Sequence, residues 1–136
     1  MPNVILDTNI FIRALIGSRI ASNILDKALL EKKLNLIASD ILLKEIIRIA
    51  QKPRIAVLIP RYKLVELISL LRERAVFVEI TENLTACRDI KDNFLLEMAL
   101  KTRAAYLITN DNDLLILNPF QNTEIVRPEN FLRRLI

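Results

Sequence analysis

The sequence predicts an α/β fold, a three-layer α/β/α sandwich with a central, mainly parallel sheet of four to five strands. The alternation of two kinds of segment predicts this fold. Short apolar stretches typical of buried strands alternate with longer segments in which apolar residues recur at helical spacing, and this alternation is typical of parallel sheets covered by helices. The length of 136 residues suits a single domain over 1–136 with a proper core.

The first half of the chain is predicted to contain two strands and four helices. Thr8 or Asn9 can cap the first helix. Ser39 can cap the third helix, which Pro53 stops. In chain order we predict a strand at 4–6, helices at 10–16 and 21–33, a strand at 34–38, and helices at 39–51 and 61–74.

The second half continues the alternation of strands and helices. Pro128 suits the first turn of a helix, where its missing amide hydrogen is not needed. In chain order we predict a strand at 76–78, a mostly irregular stretch at 79–90, a helix at 92–103, a strand at 106–109, a short edge strand at 125–126 and a terminal helix at 128–135.

The composition excludes several kinds of chemistry. The chain has no histidine, which excludes histidine bases and the usual zinc sites, and its single cysteine, Cys87, cannot form an intrachain disulfide. Its single glycine, Gly17, excludes the glycine-rich phosphate loops. Any bound metal must therefore be held by oxygen, as magnesium, manganese and calcium prefer.

Hydropathy and charge bear on location and partners. The mean hydropathy is +0.30, but no apolar run approaches the roughly 18 residues that span a bilayer. The first twelve residues lack the basic start of a signal peptide, so we expect a cytoplasmic protein without membrane contact. The net charge of +4 suits a polyanion such as nucleic acid, although solvated helix faces would give the same excess.

Four carboxylates stand where apolar segments leave little room for charge. Asp7 directly follows the first strand, and Asp111 follows the strand at 106–109. Glu45 lies within the apolar stripe of the helix at 39–51, and Asp92 opens the helix at 92–103. A charge placed against an apolar core costs several kcal/mol unless it is paired or binds a cation. We interpret the four acids as one metal site, because a bound cation would explain all four placements. Asp7 and Asp111 are further supported by their positions beyond the carboxyl ends of strands, where ligands of parallel sheets bind.

Glu45 is the most unusual of the four. It shares a helix face with Ile41 and Ile49, while Lys44 and Arg48 are expected to point away. The competing interpretation is a residue at the edge of the stripe whose carboxylate reaches water.

Ordinary structural roles also compete at the other three acids. Asp7 can serve a turn or a helix cap, and Asp111 lies in a polar turn that runs from Thr109 to Asp113. Asp92 can cap the helix that it opens. The convergence of all four acids is what distinguishes the two interpretations.

The chemistry that such a cluster supports is metal-assisted hydrolysis of a phosphodiester. A bound Mg²⁺ or Mn²⁺ lowers the pKa of its water and neutralises charge that develops on the phosphate. Thr8, Asn9 and Thr109 could orient water around the metal ligands.

Several motifs together resemble PIN-domain proteins, over essentially the whole chain. The last of them also resembles the end of a prokaryotic branch described as toxin components of toxin–antitoxin systems. The motifs are Leu6-Asp7-Thr8-Asn9, the helical Glu45, the stretch 87–99 that contains Asp92, the stretch 107–115 that contains Asp111, and Arg127-Pro128-Glu129-Asn130-Phe131-Leu132.

The resemblance implies a metal-dependent endoribonuclease of the VapC type. Mg²⁺ or Mn²⁺ would support cleavage of RNA, a cognate antitoxin would block the groove, and a homodimer would be common. The metal-binding and catalytic acids carried over by motif are Asp7, Glu45, Asp92 and Asp111, with Asp113 as a fifth metal ligand and Thr8, Asn9 and Thr109 in supporting roles.

Two departures from the family pattern leave these acids intact. Asn110 stands where a glycine is frequent, and asparagine also accepts positive φ. Ile90 stands where this branch often has proline. PIN domains also process RNA without any antitoxin, so the resemblance leaves an RNA-processing nuclease as an alternative to the toxin.

Other functions remain open at this point. A haloacid-dehalogenase-like phosphatase would need an acid at position 9, where this chain has Asn9. A non-catalytic RNA-binding PIN-like module would be expected to lose some of the acids, because like charges in one pocket repel each other when no cation is bound.

Overall fold

The described part of the chain forms one five-stranded sheet in which every adjacent pair of strands is parallel. The structure is a computed structural model that describes residues 1–81 and 92–135. The predicted α/β sandwich with a parallel sheet is confirmed. The strands are β1 (Asn3–Leu6), β2 (Asn35–Ala38), β3 (Val76–Phe77), β4 (Tyr106–Ile108) and β5 (Glu124–Val126).

Helices connect the strands, and most of them lie where the sequence predicts. The second helix leaves α-helical geometry at Asp26 and continues as a π-helical turn to Leu30. The two four-residue helices, α4 and α7, were not predicted. The helices are α1 (Thr8–Ile16), α2 (Arg19–Leu25), α3 (Asp40–Ala50), α4 (Pro53–Ala56), α5 (Arg61–Arg74), α6 (Asn93–Thr102), α7 (Asn112–Leu115) and α8 (Pro128–Arg134).

The order of the strands creates a switch point at the centre of the sheet. The order is β3-β2-β1-β4-β5, so the chain moves outward from β1 through β2 to β3 and later outward the other way from β4 to β5. β1 and β4 are neighbours, with Leu6 opposite Ile108. A crevice forms beyond the carboxyl ends of the strands where the direction reverses, and ligands of open α/β sheets bind there.

The core holds the two central strands rigidly. Val4, Ile5 and Leu6 are fully buried, as are Leu107 and Ile108. α6 packs against β1, β2 and β4, while α1 packs against α2 and α3. The residues that follow β1 and β4 therefore start from fixed backbone positions.

Helix caps differ in part from the prediction. Ser39 caps α3 as expected, since its hydroxyl accepts a hydrogen bond from the Leu42 amide at 3.1 Å. The N-cap of α1 is Asp7 rather than Thr8 or Asn9, because α1 already begins at Thr8. The irregular stretch predicted at 79–90 lies outside the described residues beyond position 81, as does Ile90.

The helices can be compared with the requirements for crossing a membrane. Within residues 1–81 and 92–135, none of them combines the length and the apolar character that a membrane span requires.

Candidate active site

Asp7 is a buried carboxylate at the end of the central strand β1. Only 6% of the residue is exposed, and its amide donates to the Ile108 carbonyl of β4 at 3.0 Å. Burial raises the pKa of this carboxyl above its ordinary value, and the negative charge of Asp111 raises it further. Hydrogen bonds from Thr109 and from the amides of Asn9 and Thr8 act in the opposite direction.

Thr109 connects the ends of the two central strands. Its fully buried hydroxyl donates a 2.6 Å hydrogen bond to Asp7 Oδ2 and accepts one of 2.9 Å from the Asp111 amide. Asp111 in turn accepts the Asp113 amide at Oδ1 and is the N-cap of α7. The turn predicted from sequence is therefore present, and it fixes Asp111 beside Asp7.

The four predicted acids line one small pocket at the switch point of the sheet. Asp7 and Asp111 reach it from the ends of β1 and β4, Glu45 from α3 and Asp92 from the residue before α6. Its volume is about 170 Å³. The described lining residues are Asp7, Thr8, Asn9, Glu45, Arg48, Ile49, Asp92, Phe94 and Asp111.

The supporting residues divide into two groups. Thr8 and Asn9 line the pocket. Thr109 is not among the described lining residues and contributes through its hydrogen bond to Asp7. Asp113 is not among the described lining residues. Its role as a fifth metal ligand stays a prediction.

Glu45 lies at the edge of the buried face of α3 and not within it. The buried positions of this helix are Leu42, Leu43, Ile46 and Ala50, and 28% of the Glu45 side chain is exposed. Ile41 and Ile49, which share its face, are also only partly buried. Glu45 therefore lies at the edge of the apolar stripe, as the competing interpretation expected. From this position its side chain still lines the pocket.

Arg48 occupies a place that the sequence did not predict. We expected it to point away from Glu45, and this was wrong. Arg48 Nε donates to Glu45 Oε2 at 3.3 Å, and Nη2 forms an ion pair with Oε1. Residues three apart are neighbours on a helix surface, which is the signal that could have identified this pair.

A fifth acid, Glu97, is buried in α6 away from the lining of the pocket. Only 5% of it is exposed. Its carboxylate accepts hydrogen bonds from the amide and the hydroxyl of Thr81 at 2.6 and 2.9 Å and lies 3.5 Å from Lys101 Nζ. Its position between buried Leu96 and Met98 could have marked it in the sequence. We assign it a structural role, because it ties α6 to the chain after β3.

The donor atoms of the pocket fit a hard divalent cation. Every potential ligand side chain there is a carboxylate, an amide or a hydroxyl, and oxygen is what Mg²⁺ and Mn²⁺ prefer. Over the described parts of the chain, no three acidic or cysteine side chains form a ready-made ligand set. Mg²⁺ is usually held by one or two carboxylates with water filling the remaining positions, so a spaced set is compatible with it.

Among the described residues, three larger grooves lie away from these acids. One of about 610 Å³ is bounded by α3, α4 and α5, and one of about 300 Å³ lies between α5 and the segment from α1 to the π-helical turn. The third, of about 330 Å³, lies between the start of α3 and the residues from β3 onward. None of the three is lined by more than two carboxylates, so we place the candidate chemistry at the smaller pocket, which four carboxylates line.

Comparison with known proteins agrees with this fold. A family model described as the PIN domain matches residues 3–113. Uncharacterized protein MJ1680 of Methanocaldococcus jannaschii is 32% identical over 116 residues, which cover 84% of this chain and 74% of that protein.

Two solved structures share the fold. One is VapBC2 from Rickettsia felis bound to a DNA fragment from its promoter, with a TM-score of 0.57 and 17% identity over 92% of this chain and 98% of the matched chain. The other is FitAB bound to the IR36 DNA fragment, with a TM-score of 0.57 and 16% identity over 92% and 94%.

Proposed function

The chain belongs to the PIN domain family, and from this premise we propose that it is a divalent-metal-dependent endoribonuclease, the toxin component of a toxin–antitoxin pair. One observation carries the proposal. Four acids from separate segments converge on one pocket beyond the ends of β1 and β4. Unneeded like charges in one pocket repel each other, so their convergence favours a site that holds a cation.

Asp7, Glu45, Asp92 and Asp111 would hold Mg²⁺ or Mn²⁺, with Asp113 as a further candidate ligand. When bound there, such a metal would lower the pKa of its water and would neutralise charge on the phosphate. Thr109 positions Asp7 and Asp111 by its two hydrogen bonds.

Water and burial contribute to the same chemistry. Thr8 and Asn9 lie in the lining, where they can orient water molecules. The burial of Asp7 also strengthens its attraction for a cation, because charges interact more strongly when they are removed from water.

RNA as substrate is supported by charge. Lys and Arg exceed Asp and Glu by 20 to 16, and part of the acidic total is concentrated in the pocket. Basic residues outside an acidic metal site attract the phosphate backbone of a polyanion, while the metal ion in the site would contact the phosphate that reacts.

An antitoxin partner is supported by the two structural neighbours. VapBC2 and FitAB are described as complexes bound to DNA, and their likeness to this chain is in fold. The alternative is an RNA-processing nuclease of the same fold without an antitoxin. A small gene overlapping the start of this one would favour the toxin, since toxin and antitoxin are produced together.

A homodimer is the assembly that we propose. Four exposed apolar residues lie within nine positions where α4 leads into α5, and we take them together as one surface, hereafter the α4–α5 face: Val57, Leu58, Tyr62 and Val65. Val57 is 82% exposed and Tyr62 is 66% exposed. Apolar faces of this kind mark interaction sites, and we assign this one to a second copy of the chain.

The test of the enzymatic proposal is cleavage of single-stranded RNA by the purified protein. We expect cleavage with Mg²⁺ or Mn²⁺, none with a chelator, and loss of activity in Asp7→Asn and Asp92→Asn. Asp26→Asn, which alters an exposed acid outside the site, is the matched control and should keep full activity. Undiminished cleavage by folded Asp7→Asn would show that the proposed site is wrong.

A further inference from the structure

We propose that Arg48 exchanges partners, holding Glu45 in the metal-free protein and binding a backbone phosphate of the nucleic acid once a divalent cation takes Glu45. This inference rests on the proposed function, because it takes the acidic pocket as the metal site. It adds a substrate-binding residue and a coupling between metal and substrate.

The geometry of the pair makes a metal ion and Arg48 compete for the Glu45 carboxylate. Arg48 Nε donates to Oε2 at 3.3 Å and Nη2 pairs with Oε1, so the guanidinium covers both carboxylate oxygens. A cation that binds Glu45 must use one of these same oxygens. A divalent cation at these oxygens offsets the charge that holds Arg48 and repels the guanidinium, so metal binding weakens the pair and the pair in turn weakens metal binding.

The exposure of the pair makes the exchange easy. The Arg48 side chain is 51% exposed and that of Glu45 28% exposed. Ion pairs at this level of exposure are weak, since water and salt screen them. A divalent cation with several anionic ligands can therefore displace Arg48.

The position of Arg48 determines what it does after release. Among the described residues that line the pocket, Arg48 alone is basic. A nucleic acid that brings a phosphate to this pocket approaches three further carboxylates, and a cation at the rim offsets their repulsion. The planar fork of arginine matches two phosphate oxygens as well as it matches a carboxylate.

The exchange couples the two binding events. Metal binding releases Arg48 and so strengthens nucleic acid binding. Since coupling between two ligands is reciprocal, nucleic acid must strengthen metal binding by the same factor.

The experiment compares Arg48→Ala with Lys44→Ala. Lys44 is an exposed cation on the same helix that does not line the pocket, so this control removes an equal charge. Binding of Mn²⁺ is measured by isothermal titration calorimetry. Binding of a short fluorescent single-stranded RNA is measured on ice by anisotropy at several salt concentrations, and gels check that the RNA stays intact.

We expect Arg48→Ala to bind Mn²⁺ more tightly, by up to about fivefold, because a competitor of exposed ion-pair strength is removed. At saturating Mn²⁺ the same variant should bind RNA more weakly. The slope of log affinity against log salt should fall by about 0.7, as expected for one lost phosphate contact on a single strand. Without metal, the RNA-binding defect of Arg48→Ala should be no larger than that of Lys44→Ala, and Lys44→Ala should show no metal-dependent difference.

The results that overturn the proposal are distinct from one another. Unchanged Mn²⁺ affinity in Arg48→Ala, or an RNA defect that is equal with and without metal, rejects the exchange. If Asp7→Asn weakens Mn²⁺ binding in the same experiments, the enzymatic proposal stands even when the exchange is rejected. Absence of Mn²⁺ binding in the wild type would reject both proposals.

Discussion

Thr109 Oγ1 donates a 2.6 Å hydrogen bond to Asp7 Oδ2, joining two residues 102 positions apart in the chain. The same hydroxyl accepts the Asp111 amide at 2.9 Å. One buried side chain thus sets the positions of both acids at the strand ends.

Thr109→Val should destabilise the protein by about 1–3 kcal/mol, the usual cost of leaving buried or partly buried polar groups without their partners. Valine keeps the shape of threonine but removes both hydrogen bonds. Chemical denaturation measures the difference, and Thr109→Ser, which retains the hydroxyl, should lose less. Equal stability of wild type and Thr109→Val would contradict the positioning role.

The stability of the metal-free protein should depend on pH through Asp7. Burial raises the pKa of Asp7 in the folded state, so the folded protein holds this proton more tightly than the unfolded chain. The stability that Asp7 contributes is therefore fully present below its unfolded pKa and is lost as the pH rises through the folded pKa.

Asp7→Asn removes this effect, so it should be more stable than wild type at neutral pH in chelator. The difference should disappear below the ordinary pKa of an aspartate. Denaturation across the acidic and neutral range measures it, with the exposed Asp26→Asn as control. A difference between wild type and Asp7→Asn that grows as the pH falls would have the wrong sign for a desolvated carboxylate.

Mn²⁺ should raise the melting temperature of wild type and raise it less in Glu45→Gln. A ligand that binds only the folded state at a hundredfold excess over its Kd stabilises by about 2.7 kcal/mol. Glu66→Gln, which neutralises an exposed acid on α5, should respond as wild type does. The assignment of Glu45 as a ligand fails if its variant gains as much as the control.

Val65→Asp should weaken the proposed dimer through the α4–α5 face. An unpaired charge in an apolar interface costs several kcal/mol, so the dimer Kd should rise by about tenfold or more. Sedimentation equilibrium measures it. Ile116→Asp alters another highly exposed apolar residue outside this face and should leave the dimer intact. A wild type that is monomeric at high concentration would reject the interface.

Much of the fold could be predicted because its signals are local. The buried triplet Val4–Leu6 and the stretch Tyr106–Ile108 are apolar and β-rich, and Ser39 is a normal helix cap. The helices α4 and α7 were missed because four residues are too few to show a helical period.

The site could be predicted only in part, because its assembly depends on strand order. Asp7 and Asp111 meet because β1 and β4 are neighbours, and a local pattern does not encode that pairing. The sequence predicts a more buried Glu45 than the structure has, because Ile41 and Ile49, four residues away on either side, themselves lie at the edge of the buried face of α3. The contact between Arg48 and Glu45 was not predicted, because only the spacing of four was considered and these two residues are three apart.

We claim that the four acids act together as one metal site, and this can be measured by titrating the metal-free protein with Mn²⁺. We predict binding to wild type that weakens by about tenfold or more in Asp7→Asn and in Asp111→Asn, because affinity depends on the number of charged ligands. Both variants should remain folded. Mn²⁺ affinity in folded Asp7→Asn and Asp111→Asn equal to that of wild type would contradict the claim.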